Sequence, residues 1–221
     1  MVSIAILTYN AEKHLPGLLL SLRNQSVENE VIVIDSSSED NTINIAKSYG
    51  ANVVIIPKES FNHGSARNLA ASQAKRDIIV FLTQDALPCD KRCIETLIRP
   101  LEERRAAASY ARHIPYPNAK PTEKFARSFN YPEYAMIKDN ESVKRLGIKA
   151  FFFSNTCSAV SKKEFYEING FPENVLMFED MIFASRLMAK GYKIAYVSES
   201  TVFHSHNFGI REQFDRYLKA G

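Results

Sequence analysis

No apolar stretch in this chain approaches the ~18 residues of a membrane span. The N-terminus runs directly into a short strand pattern, without the basic n-region and cleavage site of a signal peptide. Cysteine is scarce: the three thiols, Cys89, Cys93 and Cys157, cannot all pair within the chain and point to a reducing compartment. Cys89 and Cys93 are four apart on an expected helix, but a structural zinc site needs four ligands and no second pair exists. Neither sign of charge dominates. The 28 basic and 25 acidic residues leave a net charge of +3, too mild to argue for nucleic acid. There is no G-x-G-x-x-G, no G-x-x-x-x-G-K-[ST] and no G-x-S-x-G, so the dinucleotide, P-loop and hydrolase readings lack their phosphate or nucleophile loops. What remains is an ordinary globular composition, 45% hydrophobic and 24% charged over 221 residues, which fits one large cytoplasmic domain.

The first hundred residues alternate strand and helix. Val2–Leu7, Val31–Ile34, Val53–Ile56 and Ile78–Leu82 are apolar runs suited to buried strands. Asn10 is placed to cap a helix whose Leu15, Leu18, Leu19 and Leu22 form an i, i+3, i+4, i+7 stripe. Further helices are expected over Asp40–Tyr49, Gly64–Lys75 and Lys91–Glu103. This rhythm implies βαβ units and a parallel sheet. The second half loses it. Pro115, Pro117, Pro121 and Pro132 interrupt a polar region, and Lys138–Lys149 reads as a mobile loop. Order returns with Phe151–Val160, Lys162–Ile168, a turn at Asn169–Pro172 and a helix over Glu179–Lys190. Ile194–Val197 and Thr201–Phe203 read as two strands, and Phe208–Gly221 as a last helix.

Chemistry concentrates in three places. The first is the strand ends: Thr8-Tyr9-Asn10, Asp35-Ser36-Ser37-Ser38 and Thr83-Gln84-Asp85. In a parallel sheet these share one edge, where open α/β sheets bind ligands. Asp35 is suited to accept from a nucleobase N–H and Tyr9 to stack on the base, although turn chemistry alone also favours Ser and Asp there. Asp85 has a competing assignment as cap of the helix that starts near Asp90. The second place is Glu179-Asp180 at a helix start, where the dipole favours acids. Adjacent helical positions diverge by about 100°, so one acid can support while the other acts as a general base. The third is His204-Ser205-His206. Residues two apart in extended chain share a face, and with Asp85 these imidazoles offer mixed N/O ligation that suits Mn²⁺ or Zn²⁺ before Ca²⁺.

V-S-I-A-I-L-T-Y-N, V-I-V-I-D-S-S-S-E-D-N-T, G-S-A-R-N-L-A, I-V-F-L-T-Q-D-A and M-F-E-D, in that order between Val2 and Asp180, resemble the family 2 glycosyltransferases of the GT-A fold. F-N-H-G-S-A-R-N and T-Q-D-A resemble its rhamnosyltransferase-like branch. The resemblance implies an α/β, Rossmann-like single domain with a mostly parallel central sheet flanked by helices. Residues 1–104 would form a nucleotide-sugar-binding half. Residues 105–221 would form an acceptor-binding and catalytic-base half, cut short at its C-terminus.

The implied activity is inverting transfer of a sugar, with L-rhamnose from dTDP-rhamnose first, to a hydroxyl of a cell-surface glycan or lipid-linked acceptor. The alternatives are a UDP-sugar donor, or a catalytically incomplete nucleotide-sugar-binding protein. Carried over by position, Thr8, Tyr9, Asn10, Asp35, Ser37, Arg67 and Gln84 would bind the nucleotide. Asp85 with His206 or His204 would hold a divalent metal, Mn²⁺ or Mg²⁺. Asp180 would be the base, supported by Glu179, and Lys138–Lys149 would close over the site. Nucleic acid is not an implied partner, while peripheral association with the inner face of the membrane is compatible with a lipid-linked acceptor. The chain departs from the family pattern in two ways. Both glycines of D-D-G-S-x-D-G-T are replaced, by Ser37 and Asn41, and the first acid of the D-x-D motif is Thr83, with Gln84 between it and Asp85.

Overall fold

The strand–helix alternation expected of the first hundred residues is present in the computed structural model, which describes residues 1–206 with Arg211, Glu212, Phe214 and Leu218. The helix expected over Phe208–Gly221 lies largely outside the described residues. Strands β1 (Val2–Thr8), β2 (Asn29–Asp35), β3 (Asn52–Ile55) and β4 (Ile78–Thr83) alternate with α1 (Leu15–Arg23), α2 (Thr42–Ser48) and α3 (His63–Gln73). The four strands are parallel in the order β3-β2-β1-β4. Their side chains supply both faces of the sheet, which is why they read as continuous apolar runs. Ala5, Ile34 and Phe81 pack on one side, with Ala66 and Ala70 of α3. Ile4, Ile6, Val33 and Val80 pack on the other, with the leucines of α1.

The remaining elements are β5 (Leu87–Pro88), α4 (Cys93–Glu102), β6 (Ala108–Ile114), α5 (Pro121–Asn130), β7 (Met136–Lys138), α6 (Asn140–Leu146), β8 (Cys157–Ser161), α7 (Lys162–Glu167), α8 (Glu179–Ala189) and β9 (Ile194–Phe203). They extend the same sheet as β4-β8-β6-β9-β5, with β7 also on β9. Here pairing is mixed: β8 is antiparallel to β4 and β6, while β6 and β9 are parallel.

Several sequence expectations change in this half. Ile194–Val197 and Thr201–Phe203 belong to one strand, whose register against β6 shifts between Ala111 and Arg112. The Ser198-Glu199-Ser200 interruption is absorbed as a bulge, which adds residues to one strand without ending it. Lys138–Lys149 is not a mobile loop. Lys138 ends β7, and α6 follows with a reciprocal cap between Asp139 and Ser142, an arrangement that satisfies otherwise orphaned N–H groups. A 3₁₀ turn then spans Gly147–Phe151. Asn10 does not cap α1: the helix begins at Leu15 after His14. Asn10 instead adopts φ 48° and joins two loops, donating its N–H to Ser38 Oγ and accepting from the Glu39 N–H.

Candidate active site

The parallel register aligns the three polar strand ends. Thr8 lies beside Asp35, and Leu7 beside Thr83. Asp35 is fully buried. Its carboxylate accepts from Thr8 Oγ1, the Ser38 N–H and Ser38 Oγ, each at 2.7 Å. Ser37 stands at φ 58°, the left-handed region in which glycine carries no Cβ penalty. The backbone path that a glycine would adopt is therefore kept by a serine, whose Oγ donates to the Ile56 carbonyl. Gln84 is also committed: Oε1 accepts from the Tyr9 N–H at 2.8 Å and Nε2 donates to the Tyr9 carbonyl at 3.2 Å. A carboxylate there could not make the second bond, since it has no donor.

Gln84 lines a cavity of about 460 Å³ with Leu7, Thr8, Tyr9, Ser36, Lys58, Phe61, His63, Arg67 and Thr83, while Asn10, Asp35 and Ser37 are not among the lining residues. Lys58 bonds the Tyr9 hydroxyl. The sequence reading missed Lys58, Phe61 and His63, because they belong to the loop and helix after β3 and not to a strand end.

A second cavity of about 540 Å³ adjoins the first through His63 and Arg67, which line both. Its other walls include Tyr131, Phe152, Phe153, Ser154, Phe178, Glu179 and Asp180. Glu179 and Asp180 diverge at the start of α8. Glu179 is buried and accepts from Arg67 Nη1 at 2.6 Å. Asp180 lines the cavity, and its Oδ1 accepts from the Met181 N–H. Burial and then the neighbouring Glu179 charge push the Asp180 carboxyl up to about 7, against the opposing pull of Arg67. A carboxyl poised there can be ionised and still basic near neutral pH. Phe178, just before the pair, sits at φ 66°, a costly conformation for a bulky residue.

The G-S-A-R-N segment explains how α8 is placed. A Cβ on Gly64 would come within 2.0 Å of the Pro172 carbonyl oxygen, so α3 approaches this turn too closely for any other residue. Asn68 bonds both the N–H and the carbonyl of Phe171. Arg67 completes the attachment through Glu179. The segment thus fastens the start of α8 as well as lining the first cavity.

Asp85 does not cap α4, which begins at Cys93. Antiparallel pairing of β5 with the end of β9, Leu87 to Phe203 and Pro88 to Val202, brings Asp85 to the histidines. His204 Nε2 and His206 Nε2 lie 3.5 and 3.6 Å from Asp85 Oδ2. One ligand atom from each residue falls within 4.8 Å of the others. Burial alone would raise the Asp85 carboxyl; the adjacent His204, and then His206, reverse this and hold it well below the usual carboxylate range. Two imidazoles and an ionised carboxylate make a mixed N/O donor set that fits a divalent transition-metal cation such as Mn²⁺ or Zn²⁺. His113 of β6 also borders the cluster, its ring centroid 5.3 Å from that of His204. Burial, His204 and Arg127 push its pKa well down, so it remains neutral. Its strand was not legible in the sequence, and neither was its position.

The family profile described as "Glycosyl transferase family 2" matches residues 3–168. The O-antigen chain rhamnosyltransferase WbaN of Salmonella anatum is 42% identical over 193 residues, covering 87% of this chain and 61% of that protein. The O-antigen chain rhamnosyltransferase RfbN of Salmonella typhimurium is 38% identical over 223 residues, covering 100% of this chain and 71% of that protein. The chain thus spans between about three-fifths and three-quarters of these relatives' lengths. Among solved structures, a mannosyltransferase from Pyrobaculum calidifontis in complex with GDP-Man and Mn²⁺ superposes with a TM-score of 0.72 at 18% identity, over 97% of this chain and 60% of that one. Staphylococcus aureus TarS 1–349 in complex with UDP-GlcNAc gives 0.70 at 23% identity, over 94% and 59%. These likenesses establish the shared fold.

Proposed function

The chain belongs to glycosyl transferase family 2, and from that premise we propose that it moves a sugar from a nucleoside diphosphate to an acceptor hydroxyl with inversion. The names of the two similar O-antigen enzymes favour L-rhamnose, carried by deoxythymidine diphosphate, as the donor sugar. They also favour a glycan under construction, borne on a lipid at the membrane, as the acceptor. The nucleotide would occupy the strand-end cavity, stacked against Tyr9 with Lys58 and Arg67 at its wall. Thr8, Asn10, Asp35, Ser37 and Gln84 would shape that cavity through the bonds they make to one another and to the backbone. The acceptor would enter the second cavity.

The observation that carries this reading is the position of Asp180: it faces the second cavity with a carboxyl near 7, across Arg67 from the first. In a single displacement the acceptor oxygen attacks the anomeric carbon while its proton passes to Asp180. The bond from that carbon to the diphosphate oxygen breaks, and the electron pair leaves with the diphosphate. Glu179 holds Arg67, and the pair keeps the start of α8 in register with both cavities. A divalent cation held by Asp85, His204 and His206 would supply Lewis-acid stabilisation of the departing diphosphate.

Asp180→Asn tests the reading. Donor binding, followed by calorimetry, should persist, while turnover should fall by ~10²–10⁴, the usual contribution of a general base. Turnover in the unaltered protein should rise with pH through about 7, as Asp180 ionises. Unchanged turnover in the variant would remove the base assignment. A thermal-shift panel of deoxythymidine, uridine and guanosine diphosphates, with and without Mn²⁺, identifies the nucleotide, since stabilisation follows occupancy.

A further inference from the structure

Helix α5 is mounted the wrong way round for a helix that serves its own core. Its charged pair faces inward: Glu123 and Arg127 side chains are 11% and 16% exposed and joined at 2.6 Å. Arg127 reaches His113 Nδ1 at 3.2 Å, and the His206 N–H approaches Glu123 at 3.4 Å. Its phenylalanines face outward: Phe125 is 70% and Phe129 58% exposed, with their rings stacked 6.1 Å apart. A surface helix ordinarily shows water its charges and the core its aromatic stripe. The reversal here presents a continuous apolar ridge to whatever lies outside. Ile148, 73% exposed, and Lys149, whose Nζ lies 3.8 Å over the Phe129 ring, extend the ridge from the neighbouring 3₁₀ turn.

The exposed charges carried by α5 and the 3₁₀ turn themselves are of one sign. Glu123 is withdrawn into its ion pair, while Lys124, whose exposed ammonium donates to the Pro117 carbonyl, and Lys149 over the Phe129 ring keep their charges at the surface. Exposed aromatic and aliphatic side chains bordered by lysines match the chemistry of an anionic lipid surface, where rings enter the headgroup boundary and ammonium groups meet phosphates. The chain also connects this ridge to the second cavity. Helix α5 runs on into Tyr131, and the 3₁₀ turn into Phe152; both residues line the cavity that holds Asp180.

We propose that the outer face of α5, with Ile148 and Lys149, docks the protein on an anionic lipid bilayer and so holds the Asp180 cavity at the membrane surface. The inference that a lipid-borne acceptor gains access in this way rests on the transferase reading. The docking itself is measured without turnover and stands or falls separately.

The test is co-sedimentation of the protein with vesicles of phosphatidylcholine, alone or with about one-third phosphatidylglycerol. Sedimentation should require the anionic vesicles and decline as salt is raised. Phe125→Ser with Phe129→Ser should weaken it by at least ~10-fold, and Lys124→Glu with Lys149→Glu by a similar factor. All four positions are at the surface, and circular dichroism with thermal melting checks that each variant folds. The proposal fails if the unaltered protein ignores anionic vesicles, or if the phenylalanine variant binds them equally well. It also fails if the variant instead converts a dimer to a monomer in gel filtration without vesicle binding by the unaltered protein, since the ridge would then be a protein interface.

Discussion

In the parallel half of the sheet, Asp35 accepts three hydrogen bonds from Thr8 and Ser38. Across the molecule, Asp180 accepts from the backbone N–H beside it while another carboxylate and an arginine lie close by. Both acids are largely shielded from water, yet their surroundings set them to different tasks. Donors converging on Asp35 fix its side chain in place and shape the loop that follows β2. Asp180 has desolvation and Glu179 working against its charge, which leaves it able to take up a proton. One half is organised to hold a ligand in a fixed frame, and the other to let a proton move. Arg67 joins them: it belongs to α3, lines both cavities and bonds the acid adjacent to Asp180.

The largest effect is expected at Arg67. Arg67→Met leaves Glu179 buried without its partner, and such losses typically cost about 3–5 kcal/mol; chemical denaturation should register it. Adding Glu179→Met should recover most of the loss, because a buried pair replaced by apolar residues of similar volume is often neutral. Failure of the second change to rescue would mean that the ion pair is not what couples the two halves. A smaller effect is expected at the cluster. Asp85→Asn or His204→Ala removes a ligand and should weaken Mn²⁺-dependent stabilisation by at least the roughly 10–100-fold that loss of an outer-shell partner costs, with nucleotide binding in the absence of metal little changed.

The smallest effect is read in stability and not in turnover. The folded protein holds the Asp180 proton more tightly than the unfolded chain does. That contribution is present below the ordinary carboxylate value, 3.8, and is lost as the pH rises through about 7. Asp180→Asn does not suffer this loss. Its melting temperature relative to the unaltered protein should therefore climb between pH 4 and 8, corresponding to roughly 1–2 kcal/mol once partial solvent access is allowed for. A parallel pH course in the two proteins would contradict the raised carboxyl.

The same division separates what the sequence revealed from what it concealed. β1, β2 and β4 are largely buried and leave uninterrupted apolar runs, while β3, at the sheet edge, is half-exposed yet still apolar; the return of β4 to the far side of β1 is a tertiary choice that the alternation alone does not fix. Beyond Glu103 the signals conflict. Strand β6 is largely buried, but its sequence A-S-Y-A-R-H-I carries Ser109, Arg112 and His113 into the sheet. Helix α5 turns its apolar stripe outward, and β9 carries its bulge at Ser198-Glu199-Ser200. Asp85 and the two histidines were legible because a strand end and an i, i+2 spacing are local. The attachment of G-S-A-R-N to the start of α8 was not, because Arg67 and Glu179 are joined only by tertiary packing.

Phe178 holds the left-handed region at the entry to α8. A bulky residue in the left-handed region costs roughly 1–2 kcal/mol relative to a relaxed backbone, and a glycine there would relieve it. The same substitution would strip a ring from the wall of the cavity and loosen the entry to Glu179-Asp180. Selection for heat tolerance and selection for turnover therefore act on this one position in opposite directions. A laboratory population evolved only for survival at high temperature should discard Phe178 early.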